Sequence, residues 1–432
     1  MKKIFFWIFT GVSFITSAQS YTSYFTGNPV NSDSIPIGGI CMMGGATEDD
    51  NAMKWFLKRA NGGDVLVLRT DNSNGYNSYM FNLGPAVNSV ETIVCNNPTA
   101  SYQSYVKHKI MNAEAIWFAG GDQWDYVSYW RNTPVDSLVN DAIQNRHIVV
   151  GGTSAGMAIL GKFYYTAKNG SVTSAAALAN PYNGEVTVDS LGFIKIKYLS
   201  DVITDTHYDN PDRRGRHIVF LARILTDYGV VGKGIACDEY TAVCIDTNGL
   251  ASVYGHYPAY DDNAYFIQPN CELPRMAPEA CLPGTKLNWN LGGKALKVYN
   301  VKGTTSGINT FDLSDWETGH GGVWQNWYVA TGTLFDTIGS KINCIPLVIH
   351  NSGISCTIHV YPNPCRERVK IEAEKMKILE ISMLNSNGDI VRSLKNVNSS
   401  STSFNVNTLA SGLYLLRIQT DDGMISRKFI VE

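Results

Sequence analysis

HIVVGGTSAGMAILG, residues 147–161, opens as a β-branched apolar run and closes as a second apolar run. Between them lie two glycines and a serine flanked by small residues. The first run reads as a buried strand and residues 157–160 as the start of a helix. The junction, Gly152 to Gly156, fits G-x-S-x-G. That pattern presents a serine on a strained strand-to-helix turn, where small neighbours let its oxygen stand clear of the sheet. The backbone N–H of Ala155, at the helix start, would face a developing oxyanion. The same letters also fit a filler serine in a glycine-rich loop, so the flanking chain must decide.

Working outward, short unbroken apolar runs alternate with helix-compatible segments. Runs at 37–43, 64–69, 90–95, 115–119 and 147–150 read as strands covered on both faces. Segments 48–59, 101–112 and 133–145 read as helices, with Ala52, Trp55, Phe56 and Ala60 on one stripe of the first and Pro134 early in the last. This alternation predicts an α/β fold with a doubly wound, mostly parallel sheet over about 37–248. Such sheets carry their sites at the carboxyl ends of strands. Three strand ends here carry glycine pairs: Gly44-Gly45, Gly120-Gly121 and Gly151-Gly152. Residues 250–350 turn to alternating apolar patterns, expected as β-rich decoration that completes a domain over 21–350. From 358 to 432, short strand patterns are separated by turn signals at Asn387-Gly388, Ser411-Gly412 and Asp422-Gly423. They predict a small C-terminal all-β sandwich.

Composition narrows the function classes. The chain has 432 residues and 35 basic against 38 acidic groups, a net charge of −3. Without a polybasic patch, nucleic acid is not an expected partner. Lys2 and Lys3, an apolar stretch at 4–15 and small residues at 17–20 read as a signal peptide over 1–20, with an N-terminal anchor helix as the alternative. No other stretch is long and apolar enough for a transmembrane segment. Of nine cysteines, Cys271 and Cys281 flank a proline-rich segment and are the expected disulfide pair. Cys41, Cys237 and Cys244 read as small buried hydrophobes, and Cys365 as free. No cysteine or histidine spacing suggests a zinc site, and neither metal nor cofactor is expected.

A serine nucleophile needs a base. His207 lies at the end of a strand-like run at 201–208 and would reach the rim where Ser154 stands. His147 lies inside the preceding strand, and His217, His256 and His320 have less context. Gly121 offers a second oxyanion donor. Asp122 and Gln123 come next at the rim and could contact substrate.

Six motifs in order carry a resemblance: MGG (43–45), FAGGDQ (118–123), GGTSAG (151–156), ITDTHY (203–208), RGR (214–216) and DEYTAV (238–243). Together they resemble the cyanophycinase branch of the S51 serine peptidases. The resemblance implies a class I glutamine amidotransferase-like fold, a Ser–His–acid triad and hydrolysis beside an acidic residue. Cyanophycinases cut β-linked aspartyl-arginine side chains. Relatives act on N-terminal aspartyl dipeptides. Carried over by motif, Ser154 is the nucleophile, His207 the base, and Gly121 and Ala155 the oxyanion hole. Asp122, Gln123, Arg214 and Arg216 contact a peptide substrate with an acidic residue. The acid is expected between Ser154 and His207, with Glu185 first and Asp189 second. Asp205 shares a strand face with His207 but runs beside it. The chain departs from the family pattern at Thr206, where a glutamine is expected, and near Val219, where a third arginine is expected. Both bear on cyanophycin specificity.

The tail, with YPNP (361–364), NGDIV (387–391), LASGLY (409–414) and GMISRKFI (423–430), resembles the C-terminal sorting domain of the Bacteroidetes type IX secretion system. It implies export through periplasm and outer membrane to the surface or medium, with the secretion machinery as partner. The leading expectation is a secreted serine hydrolase acting on aspartyl or β-aspartyl bonds. Its alternatives are a non-catalytic binding module on the same fold, and an amidotransferase-like hydrolase, a chemistry that uses cysteine where Ser154 stands.

Overall fold

The structure is a computed structural model that describes residues 19–71, 74–190, 192–344, 358–374, 376–385, 390–421 and 423–432. The expected signal peptide falls almost wholly outside the described residues, as do Asn387-Gly388 and Asp422. The chain divides into two compact units, Met1–Asn343 and Cys344–Glu432. Among the described residues no helix is long and apolar enough to cross a membrane.

The first unit is built on strands β1 (Tyr21–Gly27), β2 (Gly39–Met43), β3 (Asp64–Arg69), β4 (Ser89–Cys95), β5 (Ala115–Phe118) and β6 (Val149–Thr153). They lie in the order β1-β4-β3-β5-β6-β2 within a ten-stranded sheet. The pairs β4–β3, β3–β5, β5–β6 and β6–β2 are parallel. Edge strand β1 is antiparallel to β4, and on the far side Ala242–Ile245 pairs antiparallel to β2. The strand β1 has no counterpart in the apolar-run reading, because its side chains are mostly half-buried and polar residues interrupt it.

Helix α1 (Asp50–Arg59) begins where the Asp49 carboxylate accepts the N–H groups of Asn51 and Ala52. It ends on Lys58 and Arg59, which suit the negative end of the helix dipole. Its buried face is Ala52, Met53, Phe56 and Leu57, while Trp55 lies half-buried under the Arg59 guanidinium. In β3, Val65 and Val67 pack with α1, whereas Leu66 and Leu68 join the apolar layer of Val106, Ile110 and Trp130 on the other face. Burial of both faces is why β3 reads as an unbroken apolar run. Together they give the doubly wound core.

The 250–350 segment does more than decorate. Its strands Asn263–Pro269, Leu296–Lys302, Gly322–Ala330 and Thr333–Ile338 form a second, six-stranded sheet with Val202–Asp205 and Lys233–Cys237. The last two pair parallel, and the others add antiparallel. His207 and Ser154 therefore stand at the ends of strands from different sheets. Cys271 is disulfide-bonded, but Cys281 is a free buried thiol, so the expected bridge between them is not formed. Burial of Cys281 against the second sheet satisfies it as a small apolar residue. Cys41, Cys237, Cys244 and Cys365 are buried free thiols.

The second unit is all-β. A three-stranded sheet (Ile358–Tyr361, Arg368–Ala373, Ser401–Asn405) and a four-stranded sheet (Ile390–Leu394, Ile378–Leu384, Gly412–Thr420, Gly423–Val431) are wholly antiparallel. Val369, Ile371, Ile381, Leu416 and Phe429 share their apolar core.

Candidate active site

Ser154 sits between β6 and the short helix α2 (Ala155–Ala158), with φ 52° and ψ −118°. A non-glycine residue here costs about 1–3 kcal/mol, tolerated when the surroundings over-determine it. Two contacts do so. The Ser154 N–H donates to Met43 O at 3.1 Å, and its C=O accepts from Ala158 N at 2.9 Å. The flanking glycines are required by close approach. A Cβ on Gly152 would lie 2.5 Å from the Gly156 carbonyl carbon, and one on Gly156 2.0 Å from Phe118 O. Hence the motif's spacing: both glycines let the helix start settle onto the strand ends.

His207 lies just beyond Val202–Asp205 and is tied back to the first sheet by its N–H, which donates to Gly44 O at 2.8 Å. Its Nε2 lies 2.8 Å from Ser154 Oγ. Its Nδ1 lies 2.6 Å from Glu239 Oε1. Glu239 comes directly after strand Lys233–Cys237 and Asp238, and it is fixed from the His207 loop. Its N–H donates to Asp209 Oδ1 at 2.9 Å, and its Oε2 accepts from Asn210 Nδ2 at 3.3 Å. Burial works against its charge, but hydrogen bonds from His207 and Asn210, with the His207 and Arg213 charges, hold Glu239 below the ordinary carboxylate value. Gly45, at φ +121°, makes room for the imidazole, since a Cβ there would lie 2.3 Å from His207 Nε2. Gly45→Ala is expected to push the ring off Ser154 and cost about 100-fold in kcat, as misplacements near 1 Å do. Steady-state kinetics beside an unchanged circular-dichroism spectrum would check this.

The expected acids lie elsewhere. Glu185 faces the turn at Gly170, and its N–H is held by Asn183 Oδ1. Asp189 pairs with Arg131 at 2.7 Å on the short Tyr164–Tyr165/Val188–Asp189 ladder. Glu239 replaces both at His207. The physical reason is the parallel pairing of Lys233–Cys237 with Val202–Asp205, which sets Ala236 opposite Asp205 and delivers Glu239 to the ring.

The loop of Gly120 and Gly121 lies against the serine. A Cβ on Gly120 would be 3.6 Å from Ser154 Cβ. The Tyr126 hydroxyl pins this loop by donating to the carbonyls of Ala119 and Gly120 at 2.8 and 3.0 Å. Ala155 opens the helix turn, so its N–H has no intrahelical partner. Asp122 caps helix Gln123–Trp130, accepting from Trp124 N at 2.7 Å and Asp125 N at 3.3 Å. Gln123 Nε2 donates to Tyr165 O at 2.7 Å.

Both expected substrate arginines are already engaged. Arg216 is 2% exposed and grips Asp205 through Nε (2.9 Å) and Nη2 (2.5 Å). It cannot meet a substrate carboxylate, because it neutralises a carboxylate buried at the strand end. Arg214 chelates Asp212, with its nearest contact at 2.8 Å, and reaches Asp336 at 3.3 Å. The motif reading passed over Arg213. Its Nη1 donates to Thr206 O at 3.0 Å beside the histidine, and it makes no ion pair among the described residues. Its position next to the RGR motif was the available signal.

Removing one partner of a buried pair strands the other charge, at about 3–5 kcal/mol. Arg216→Ala is expected to lose that much in chemical denaturation, and Asp205→Asn added to it should restore part. Burial opposes the Asp205 charge, but the Arg216 charge and hydrogen bonds win and hold its carboxyl below 3.8. The contribution is therefore present above pH 3.8 and lost as pH falls through the lower folded value. Below pH 3.8 the melting temperature of the parent chain should fall more steeply than that of Asp205→Asn.

A serine on a strained turn at the end of one sheet thus meets a histidine and a carboxylate carried by strand ends of a second, an arrangement suited to activating a hydroxyl nucleophile. Residues 78–253 match peptidase family S51, and residues 359–432 match the secretion system C-terminal sorting domain. The cyanophycinase of Nostoc sp. is 27% identical over 152 residues, covering 35% of this chain and 46% of its own length. The cyanophycinase of Synechococcus elongatus is 24% identical over 229 residues, 50% of this chain and 66% of its own. The chain thus spans about half to two thirds of the length of these curated relatives. A peptidase from an acI-B1 Actinobacterium superposes with a TM-score of 0.40 at 15% identity, over 54% of this chain and 91% of that one.

Proposed function

We propose that this chain is an exported serine-type peptidase that hydrolyses aspartyl or β-aspartyl peptide bonds through Ser154, His207 and Glu239. The observation that carries the reading is the unbroken hydrogen-bonded chain from Ser154 Oγ through both His207 nitrogens to Glu239. Its spacing suits proton transfer at each link. His207 Nε2 takes the serine proton as Oγ bonds to the scissile carbonyl carbon. The oxyanion is met by the N–H groups of Gly121 and Ala155. The imidazolium, balanced by Glu239, then gives its proton to the departing amine as the C–N bond breaks. Water, deprotonated by the same nitrogen, releases the acyl group and restores Ser154.

The S51 match and the cyanophycinase relatives support an acidic residue beside the cleaved bond. Arg213 is the guanidinium we assign to that carboxylate, because Arg214 and Arg216 are held by aspartates. The sorting-domain match supports export by the type IX machinery. The test is an assay of the full chain against cyanophycin and matched α-aspartyl, β-aspartyl and neutral dipeptides. Aspartyl or β-aspartyl cleavage with the neutral peptides spared is expected. Equal cleavage of neutral peptides, or none at all, would overturn the proposal.

A further inference from the structure

Two thiols face each other across a strand pair on which the reacting residues depend. Strand β2 pairs antiparallel with Ala242–Ile245, and the register sets Cys41 directly opposite Cys244. Their sulfur atoms lie 3.6 Å apart. The same register places Gly44 opposite Thr241, and Gly44 N donates to Thr241 O at 3.0 Å. Opposite residues of an antiparallel ladder alternate between hydrogen-bonded and non-hydrogen-bonded pairs. Counting back along β2 from Gly44, Cys41–Cys244 is a non-hydrogen-bonded pair. Side chains stand closer in such pairs, with Cα atoms about 4.5 Å apart. That separation falls inside the range of about 4.4–6.8 Å that a disulfide spans.

Both side chains point to the face covered by α1, among Ala52, Phe56 and Ala242. Cys41 Sγ lies 3.9 Å from Ala52 O, and both cysteines are buried. Because the backbone separation already suits a disulfide, rotation about the two Cα–Cβ bonds is enough to bring the sulfurs together. The sorting-domain match supports export, and exported chains fold where disulfides form and persist. The first unit already carries a bonded cysteine at Cys271.

We propose that Cys41 and Cys244 form a disulfide site, closed by a disulfide-bearing oxidant as the chain folds. One thiolate attacks the oxidant's disulfide and forms a mixed disulfide, and the second displaces it. The two thiol protons and two electrons end on the oxidant, which leaves as two thiols. Burial, and then the neighbouring Cys41, push the Cys244 thiol well above its ordinary value in the folded chain. Exchange needs the thiolate, so the pair reacts before α1 settles over it and is shielded from reductants afterwards. The bond joins residues 203 apart and so removes many open conformations from the unfolded chain. It also braces the site. Met43 O and Gly44 O, at the end of β2, hold the N–H groups of Ser154 and His207. Gly45 O accepts Tyr240 N at 3.2 Å, next to Glu239. The cross-link thus ties the strand that anchors serine and histidine to the segment that carries the carboxylate. It does not rest on the peptidase reading.

The experiment compares the full chain produced in a bacterial periplasm with the same chain produced in a reducing cytosol. Each is quenched with N-ethylmaleimide under denaturing conditions and digested without reduction for mass spectrometry. The periplasmic chain should yield the Cys41 peptide joined to the Cys244 peptide, and the cytosolic chain should yield both peptides alkylated. Cys244→Ala then separates the bond from packing. In the alkylatable cytosolic chain it removes only a buried thiol, whereas in the periplasmic chain it also removes the cross-link. Its loss in melting temperature should be about 3–6 °C greater in the periplasmic chain, the scale of one disulfide in a unit of this size. Alkylation of both cysteines in the periplasmic chain, or bonding of either to a third cysteine such as buried Cys237, would overturn the proposal. So would equal losses in the two chains.

Discussion

Ser154→Ala is expected to lower kcat by about 10⁶-fold, the scale seen when a nucleophile acting with its base is removed. Alanine deletes one oxygen and leaves the backbone demand untouched. The φ of 52° is carried by any residue with a Cβ, so alanine neither relieves nor adds strain. The Met43 and Ala158 hydrogen bonds are backbone bonds and survive. The melting temperature should therefore stay close to that of the parent while turnover disappears. A fluorophosphonate probe should label the parent chain at Ser154 and fail to label the variant. Turnover unchanged in the variant would mean that another group attacks the substrate, and the strained turn would need another explanation.

The strained turn was legible in sequence because its sterics leave few alternatives. Gly152 and Gly156 are dictated by contacts closer than any Cβ permits, so the motif is nearly written by geometry. His207 was legible because the residues just past a strand's carboxyl end sit at the rim of the sheet. Local pattern could not carry the identity of neighbouring strands. The strand-like run that leads to His207 was expected within one sheet over about 37–248, yet Val202–Asp205 pairs with Lys233–Cys237 in a second sheet completed by strands beyond residue 260. That pairing brings Glu239 to the imidazole. Triads occur in several chain orders, so expecting the acid between serine and histidine carried little physical force. Asking which acidic residue comes after each apolar strand would have raised Glu239 within DEYTAV. The arginines failed for a related reason. The RGR motif displays charge, but whether a guanidinium is free depends on partners such as Asp205, eleven residues upstream of Arg216, and Asp336, far downstream of Arg214.

Glu239→Gln separates the geometric assignment from the order-based one. Glutamine keeps the shape, but its Nε2–H group can donate to His207 Nδ1. That favours the tautomer with its proton on Nε2, which cannot accept the serine proton. A glutamine carbonyl turned toward Nδ1–H would keep the right tautomer but supply no charge for the imidazolium. The expected loss is about 10⁴-fold in kcat, the scale of the amide replacement of a triad carboxylate. The KM should change little, because in the proposed mechanism the Glu239 carboxylate touches His207 and not the substrate. Glu185→Gln is the matched control, and with its side chain at the Gly170 turn it should leave kcat within a factor of about two. Glu239→Asp should recover only part of the rate, since the shorter side chain must stretch the 2.6 Å contact. If Glu185→Gln were the variant that lost activity and Glu239→Gln were not, the contact between Glu239 and His207 would be structural. The pairing of the second sheet would then have lost its functional meaning.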